Sequence, residues 1–136
     1  MNELQAAIYN KFNNSTGHGL YTNVGGRFYL HKAPQNASFP FIVYFPVTDM
    51  DEVDFTDERE DFLVQFSIFS ENNSPYEAGT ILGNLKSLFD DCTLTVTGYN
   101  HLRFSRTMTI PNNDITVVPP VFGYSVDYEV TIEKSK

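Results

Sequence analysis

Tryptophan is absent from this 136-residue chain, and cysteine occurs once, at Cys92. A lone thiol forms neither an internal disulfide nor a cysteine-ligated metal cluster, and such usage fits a reducing compartment. Basic residues are scarce: 9 Lys and Arg stand against 17 Asp and Glu, a formal charge of −8. Nucleic-acid binding depends on phosphate neutralisation by cations, so this balance argues against DNA or RNA as a specific ligand. No run of 18 apolar residues occurs, so no membrane-spanning helix is expected. The first segment, "MNELQAAIYNKF", carries an early acid and no apolar h-region, and does not read as a signal peptide. A soluble protein made inside the cell is the expectation.

The chemistry of common enzymes is also missing. His18, His31 and His101 are scattered, without an i, i+4 pair or companion cysteines, so no metal site is expected. "GHG" at 17–19 and the Gly25-Gly26 pair form no phosphate loop, because no strand is predicted before them and no helix after them. Cys92 falls between a predicted helix and a predicted strand, where an inert thiol is the simplest reading. The acids lie in a run and not as a convergent pair, which gives a two-carboxylate mechanism no support. Neither a catalytic role nor a cofactor is expected.

What is present is a large apolar content, 41% of residues, with 12 Phe and 8 Tyr. Length and composition predict one folded domain over 1–136. Leu4, Ala7, Ile8 and Phe12 recur at helical spacing from Asn2 to about Asn13, and "NNSTGHG" ends that pattern. "RFYLH" alternates as a strand. "FPFIVYFPV" puts Phe39, Phe41, Val43, Phe45 and Val47 on one face with Ile42 and Tyr44 on the other, the pattern of a strand covered on both sides. Pro40 and Pro46 restrict that strand to a start, an edge or a bulge, since proline donates nothing to a ladder. "EDFLVQFSIFS" follows, with Phe62, Val64, Phe66 and Ile68 on one face.

Between these strands lies "DMDEVDFTDERED", residues 49–61, which holds eight of the 17 acids and only Arg59 in compensation. A strand, an acidic stretch and a second strand predict a long antiparallel hairpin with a charged tip. Calcium binding is a poor fit. Asp49 and Asp51 match an EF-hand loop, but Val53 falls at the third ligand position and Asp54 at the required glycine.

A second helix is predicted from Ser74 to about Asp90. Ser74, Pro75 and Glu77 have the spacing of a capping box. Ala78, Ile81, Leu82, Leu85, Leu88 and Phe89 form its apolar stripe, and burial of each large member stabilises by roughly 1.5–3 kcal/mol. Three strands then follow. "TLTVTGY" is short. "HLRFSRTMTI" sets Leu102, Phe104, Met108 and Ile110 against Arg103, Ser105, Thr107 and Thr109, with Arg106 interrupting the apolar face. "VFGYSVDYEVTIEK" alternates most cleanly, as a strand with one wet face does. The order α-β-β-β-α-β-β-β defines an α+β domain, a mostly antiparallel sheet of about six strands with two helices packed on it.

The stretch "GGRFYLHKAPQNASFPFIVYF" resembles the tail terminator, or tail completion, proteins of long-tailed bacteriophages, also known as head–tail joining proteins. The resemblance rests on Gly26, Arg27, Tyr29, Ala33, Pro34, Pro40, Phe41, Ile42, Val43 and Tyr44, read as the family's opening hairpin. It continues through "FLVQFSIF", a helix starting "SPYEAG", and a Tyr-rich last strand. The acidic 49–61 segment departs from the family pattern.

The resemblance implies a structural virion protein, assembled in the host cytoplasm and located at the head–tail junction. Its implied partners are further copies of itself in a ring, six being the family's usual number, the major tail tube protein, and the head-closure or connector protein. Another neck or tail component, or a small-ligand-binding α+β domain, are the alternatives. Under the ring reading, the segments 47–60 and 111–120 are candidate contact loops. Asp49, Asp51, Glu52, Asp54, Asp57, Arg103, Arg106, Asn112 and Asn113 are the candidate subunit or tube contacts, with acidic tips set against basic strands.

Overall fold

A computed structural model describes residues 2–53 and 58–135. Among them the chain forms α1 (Asn2–Asn13), α2 (Gly19–Val24), β1 (Phe28–Leu30), β2 (Phe41–Val53), β3 (Glu58–Glu71), α3 (Tyr76–Phe89), β4 (Tyr99–Pro111) and β5 (Val121–Lys134). The strands make one sheet in the order β1-β2-β3-β5-β4. The pairings β2–β3, β3–β5 and β5–β4 are antiparallel, whereas β1 and β2 run parallel. All the helices pack on one face of the sheet, against an aromatic core that includes Phe12, Phe28, Phe62, Phe66, Phe89, Phe104 and Tyr128.

The α+β class and the mostly antiparallel sheet agree with the periodicities; the strand and helix counts do not. The extra helix, α2, follows "GHG", where none was expected. His18 is its N-cap, with Nδ1 accepting from the Leu20 N–H at 3.0 Å, and Gly25 closes it at φ 59°. Six residues are too few to show a helical period, and Thr22, Asn23 and Val24 have low helix propensity. Burial of Leu20 and Val24 stabilises this turn instead.

The expected strand "TLTVTGY" does not form. Its alternation is real, since Leu94 and Val96 are buried while Thr93, Thr95 and Thr97 are exposed. Only an isolated bridge links Val96 to Tyr99 across a turn at Gly98. The Leu94 N–H is instead accepted by His101 Nδ1 at 3.2 Å. An alternating pattern needs a free ladder beside it to become a strand, and none runs along this segment.

The opening stretch is also not a hairpin. Gly25 and Gly26 hold positive φ and deliver the chain into β1. Residues 31–40 then carry it back so that Phe28 registers with Ile42 and Leu30 with Tyr44 in parallel. Arg27 ties the two ends: its Nε donates to the Pro40 carbonyl at 2.8 Å, and its own carbonyl accepts from the Ile42 N–H. A parallel link this short is workable because β1 is only three residues long. Pro40 ends just where β2 begins, and Pro46 sits at the register shift between Pro46 and Thr48, the two places proline tolerates.

The capping box at α3 is half made. Ser74 Oγ accepts from the Tyr76 N–H at 3.3 Å, but Glu77 turns away to accept the hydroxyl of buried Ser70 at 2.6 Å. A buried hydroxyl without a partner is costly, which explains the diversion of Glu77.

Candidate assembly surface

The residues of the wet face follow from strand register. In β3 the buried set is Phe62, Val64, Phe66 and Ile68, so Leu63, Gln65, Ser67 and Phe69 point away from the helices. Register then places Phe41, Val43 and Phe45 of β2, Ser125 and Asp127 of β5, and Met108 and Ile110 of β4 on that same side. No helix covers it. The double-faced apolar pattern of "FPFIVYFPV" predicts cover on both sides; the helices supply it on the Ile42 and Tyr44 side, while on the other Val43 is buried and Phe41 and Phe45 are partly exposed beside residues 31–33.

This open face is divided by chemistry. At the β1 side, Phe41, Val43, Phe45 and Phe69 line an apolar groove of about 340 Å³ with His31 and Lys32 among its lining residues. The middle is polar: Gln65 Nε2 donates to Asp127 Oδ1 at 3.0 Å, and Thr131 donates to Asp61 at 2.6 Å. At the β4 side apolar groups return, with Met108 and Ile110 about half exposed. Beyond them the 112–120 loop carries Ile115 at 74% and Val118 at 96% exposure. Exposed aliphatic groups are thus gathered along β4 and in the connection that follows it.

The expected apolar face of β4 is thus not a core face. Two register shifts, at His101/Arg103 and Arg106/Met108, turn Met108 and Ile110 outward and leave Phe104 as the buried member. Bulges of this kind bend an edge strand and are invisible to simple alternation.

The sequence-predicted contact residues do not form one cluster. Asp49 registers with Phe62, Asp51 with Glu60 and Glu52 with Arg59, so the supposed 47–60 loop is mostly β-hairpin. Asp54 and Asp57 lie outside the described residues. Asn112 and Asn113 sit at the opposite end of the strands. The Asn112 N–H donates to the Gly123 carbonyl, and Asn113 Oδ1 accepts the Gly123 N–H at 3.2 Å, which pins the start of the exposed loop. Arg103, on the open face, approaches Glu129 at 3.5 Å with more than half its side chain exposed. A pair so exposed adds little stability.

Arg106 faces the other way. Its Nε donates to both Asp90 oxygens at 3.2 Å, and the Tyr128 hydroxyl donates to Asp90 Oδ1 at 2.6 Å. Burial, then the Asp90 carboxylate, push the Tyr128 hydroxyl well above the usual phenol range. This network closes the C-terminal end of α3 and leaves Arg106 engaged. The loop 115–118 falls within the expected 111–120 contact segment, but sequence reasoning singled out Asn112 and Asn113 there, missing exposed Ile115 and Val118 and the far-side aromatics. The signal for the latter was present in the second apolar face of β2.

The three histidines and the thiol have structural places. His18 caps α2, His31 takes φ 66° at the exit of β1, and burial lowers the His101 imidazole below its usual range. Cys92 is half-buried, and burial, only partly offset by Lys11, pushes its thiol up to about 11. The thiolate is the reactive form. Alkylation of Cys92 by iodoacetamide near neutral pH should therefore run roughly a hundredfold slower than for a free thiol of ordinary acidity, rising to the ordinary rate in denaturant. Mass spectrometry of timed samples reads this directly, and equal rates in the folded and unfolded chain would contradict the assignment.

Among the described residues no helix is long and apolar enough to cross a membrane, and no three His, Cys, Asp or Glu side chains gather as a metal site. The chain belongs to the tail completion protein gp17 family, whose model matches residues 16–117, and is a structural protein of the phage tail. Its place is therefore in the virion. Its fold is similar to that of a chain in the virion of a native gene transfer agent particle, with a TM-score of 0.80 at 14% identity over 96% of this chain and 94% of that one. No curated protein matches it in sequence.

Proposed function

We propose that copies of this chain close into a ring, six in the form the family resemblance implies, that caps the tail tube and joins it to the head connector. The observation that carries this reading is the sheet face without helices, apolar at both lateral edges and uncovered in a single chain. Exposed apolar patches on a soluble chain mark surfaces that another protein covers. The two edges differ, a groove on one and an exposed loop on the other, and unlike patches give head-to-tail contacts that close into rings.

The acidic β2–β3 hairpin lies at one end of the strands, away from the groove and the exposed loop, and is the docking end for the tube or the connector. Eight acids in 49–61, set toward the lumen of such a ring, keep passing DNA from adhering.

Two experiments test this. Phage lacking the protein should accumulate filled heads and unjoined tails, and added purified protein should restore joined particles in extracts. Normal joining in its absence would refute the assignment. Deletion of residues 51–56 should reduce infectious particles strongly; recovery of rings and full infectivity would remove the hairpin from the contact.

A further inference from the structure

The ring reading leaves open which surfaces meet, and the following rests on it. Two features of the open face have complementary shape and charge. The groove beside β1 is concave and apolar, with Lys32 exposed at its rim. The loop at the β4 side projects Ile115 and Val118, beside exposed Asp114.

The loop is built to hold this shape. The Asp114 N–H and carbonyl exchange hydrogen bonds with Val121 at 2.7 and 2.9 Å. Asp114 Oδ1 accepts from both the N–H and the hydroxyl of Thr116, at 3.0 and 2.6 Å. The Asn72 N–H holds the Pro120 carbonyl. An apolar segment held at both ends loses little freedom on docking, which favours binding. Within one copy, the loop contributes nothing to the groove lining, so the groove stays open to another molecule.

We infer that residues 115–118 of one copy seat in the groove that residues 31–33, β2 and β3 form in the next, with Asp114 against Lys32. The loop turns at the end of β4 and β5 while the groove lies across the sheet beside β2, so each copy offers a loop on one side and a groove on the other. That is the head-to-tail geometry a closed ring requires. A stable interface covers about 800 Å² on each partner, more than four residues supply. Met108 and Ile110 lie on the same face and enlarge the loop-side patch. The acidic hairpin takes no part in this contact and remains free for the tube or the connector.

Sedimentation velocity on six forms of the full chain tests the contact. Wild type should sediment as a ring. Val118→Asp, at a site 96% exposed and so harmless to folding, and Ala33→Asp, in the groove lining, should each sediment as monomers with unchanged circular dichroism. An equimolar mixture of these two variants should stop at dimers, because only one loop and one groove remain intact in the pair. The double variant Lys32→Glu with Asp114→Lys should recover at least half of the ring lost by either single reversal. Rings of wild-type size from Val118→Asp, or no dimer in the mixture, would overturn the loop-in-groove contact while leaving the ring itself standing. If wild type stays monomeric at every concentration, with and without tail tubes, the ring reading fails and this contact with it.

Discussion

Phe66→Ala should be among the most destabilising single substitutions in this chain, costing about 3–5 kcal/mol. Phe66 is fully buried at the centre of the sheet's helix face. Its ring meets Phe89 of α3 at a centroid distance of 4.8 Å, Tyr128 of β5 at 5.4 Å, and Phe28, Tyr44 and Phe104 near 6 Å. The residue therefore links β1, β2, α3, β4 and β5 through one side chain. Removing it deletes the transfer free energy of an aromatic group and leaves a cavity that flat, rigid neighbours cannot collapse into. Small domains are stable by only about 5–15 kcal/mol, so the loss is a large fraction of the total. Urea unfolding should show the midpoint falling while the slope stays constant. Phe69→Ala is the comparison. That ring lies on the open face, half-exposed, and its loss should cost clearly less in the monomer. Equal costs at both positions would mean that the core is not where the structure puts it.

Gly123→Ala is expected to have a comparable effect for a different reason. Gly123 lies opposite Phe69 in the β3–β5 ladder, and a Cβ there would collide with the Ile68 carbonyl oxygen, with the Asn112 carbonyl oxygen close behind at 3.2 Å. Both obstacles are backbone, so no rotamer change relieves them. The strands must separate, and the hydrogen bonds that pin the exposed loop through Gly123 shift with them. Overpacking typically costs about 1–3 kcal/mol, and a backbone collision belongs at or above the top of that range. Gly83→Ala on α3 supplies the opposite sign. A Cβ at Gly83 meets nothing within 4 Å, and Gly to Ala inside a helix stabilises by about 0.5–1 kcal/mol. Thermal melts of the two variants should move in opposite directions. A Gly123→Ala protein as stable as wild type would contradict the close approach of β3 and β5 at this point.

Both predictions depend on a core whose membership was readable in the chain. The strict alternation of "DFLVQFSIF" placed Phe66 on its buried face, and the clean period of "VFGYSVDYEVTI" did the same for Tyr128. The stripes of α1 and α3 were equally legible, because 3.6-residue periods sustained over 12 and 14 residues leave few other readings. Gly123 carried no such signal. A glycine in an alternating strand reads only as a small residue on the wet face, and its need for space arises from the neighbouring strand.

The same limit governs the candidate contacts. Charge picks out Arg103 and Arg106 together, yet the unbroken alternation between them sets the two on opposite faces. Arg106 is engaged by Asp90, 16 residues earlier in the chain and close only through the packing of α3. The 111–120 segment is legible as a contact loop, but the exposure of Ile115, Val117 and Val118 is not, because an apolar residue in a connection looks buried until the fold shows nothing above it.

By itself, then, the sequence determined the class of fold, the buried faces of α1, α3, β3 and β5, the acidic hairpin, and the likeness to tail completion proteins. All of these are local: they depend on period, composition and spacing within a few turns of chain. Only the tertiary structure decided that β1 runs parallel to β2, that "TLTVTGY" has no partner strand, and that one face of the sheet stays open with a groove at one edge and an exposed loop at the other. Those outcomes depend on which segments reach the same place in space. Alternation marks which side chains share a face, but a face becomes core or contact surface only when another element covers it or fails to.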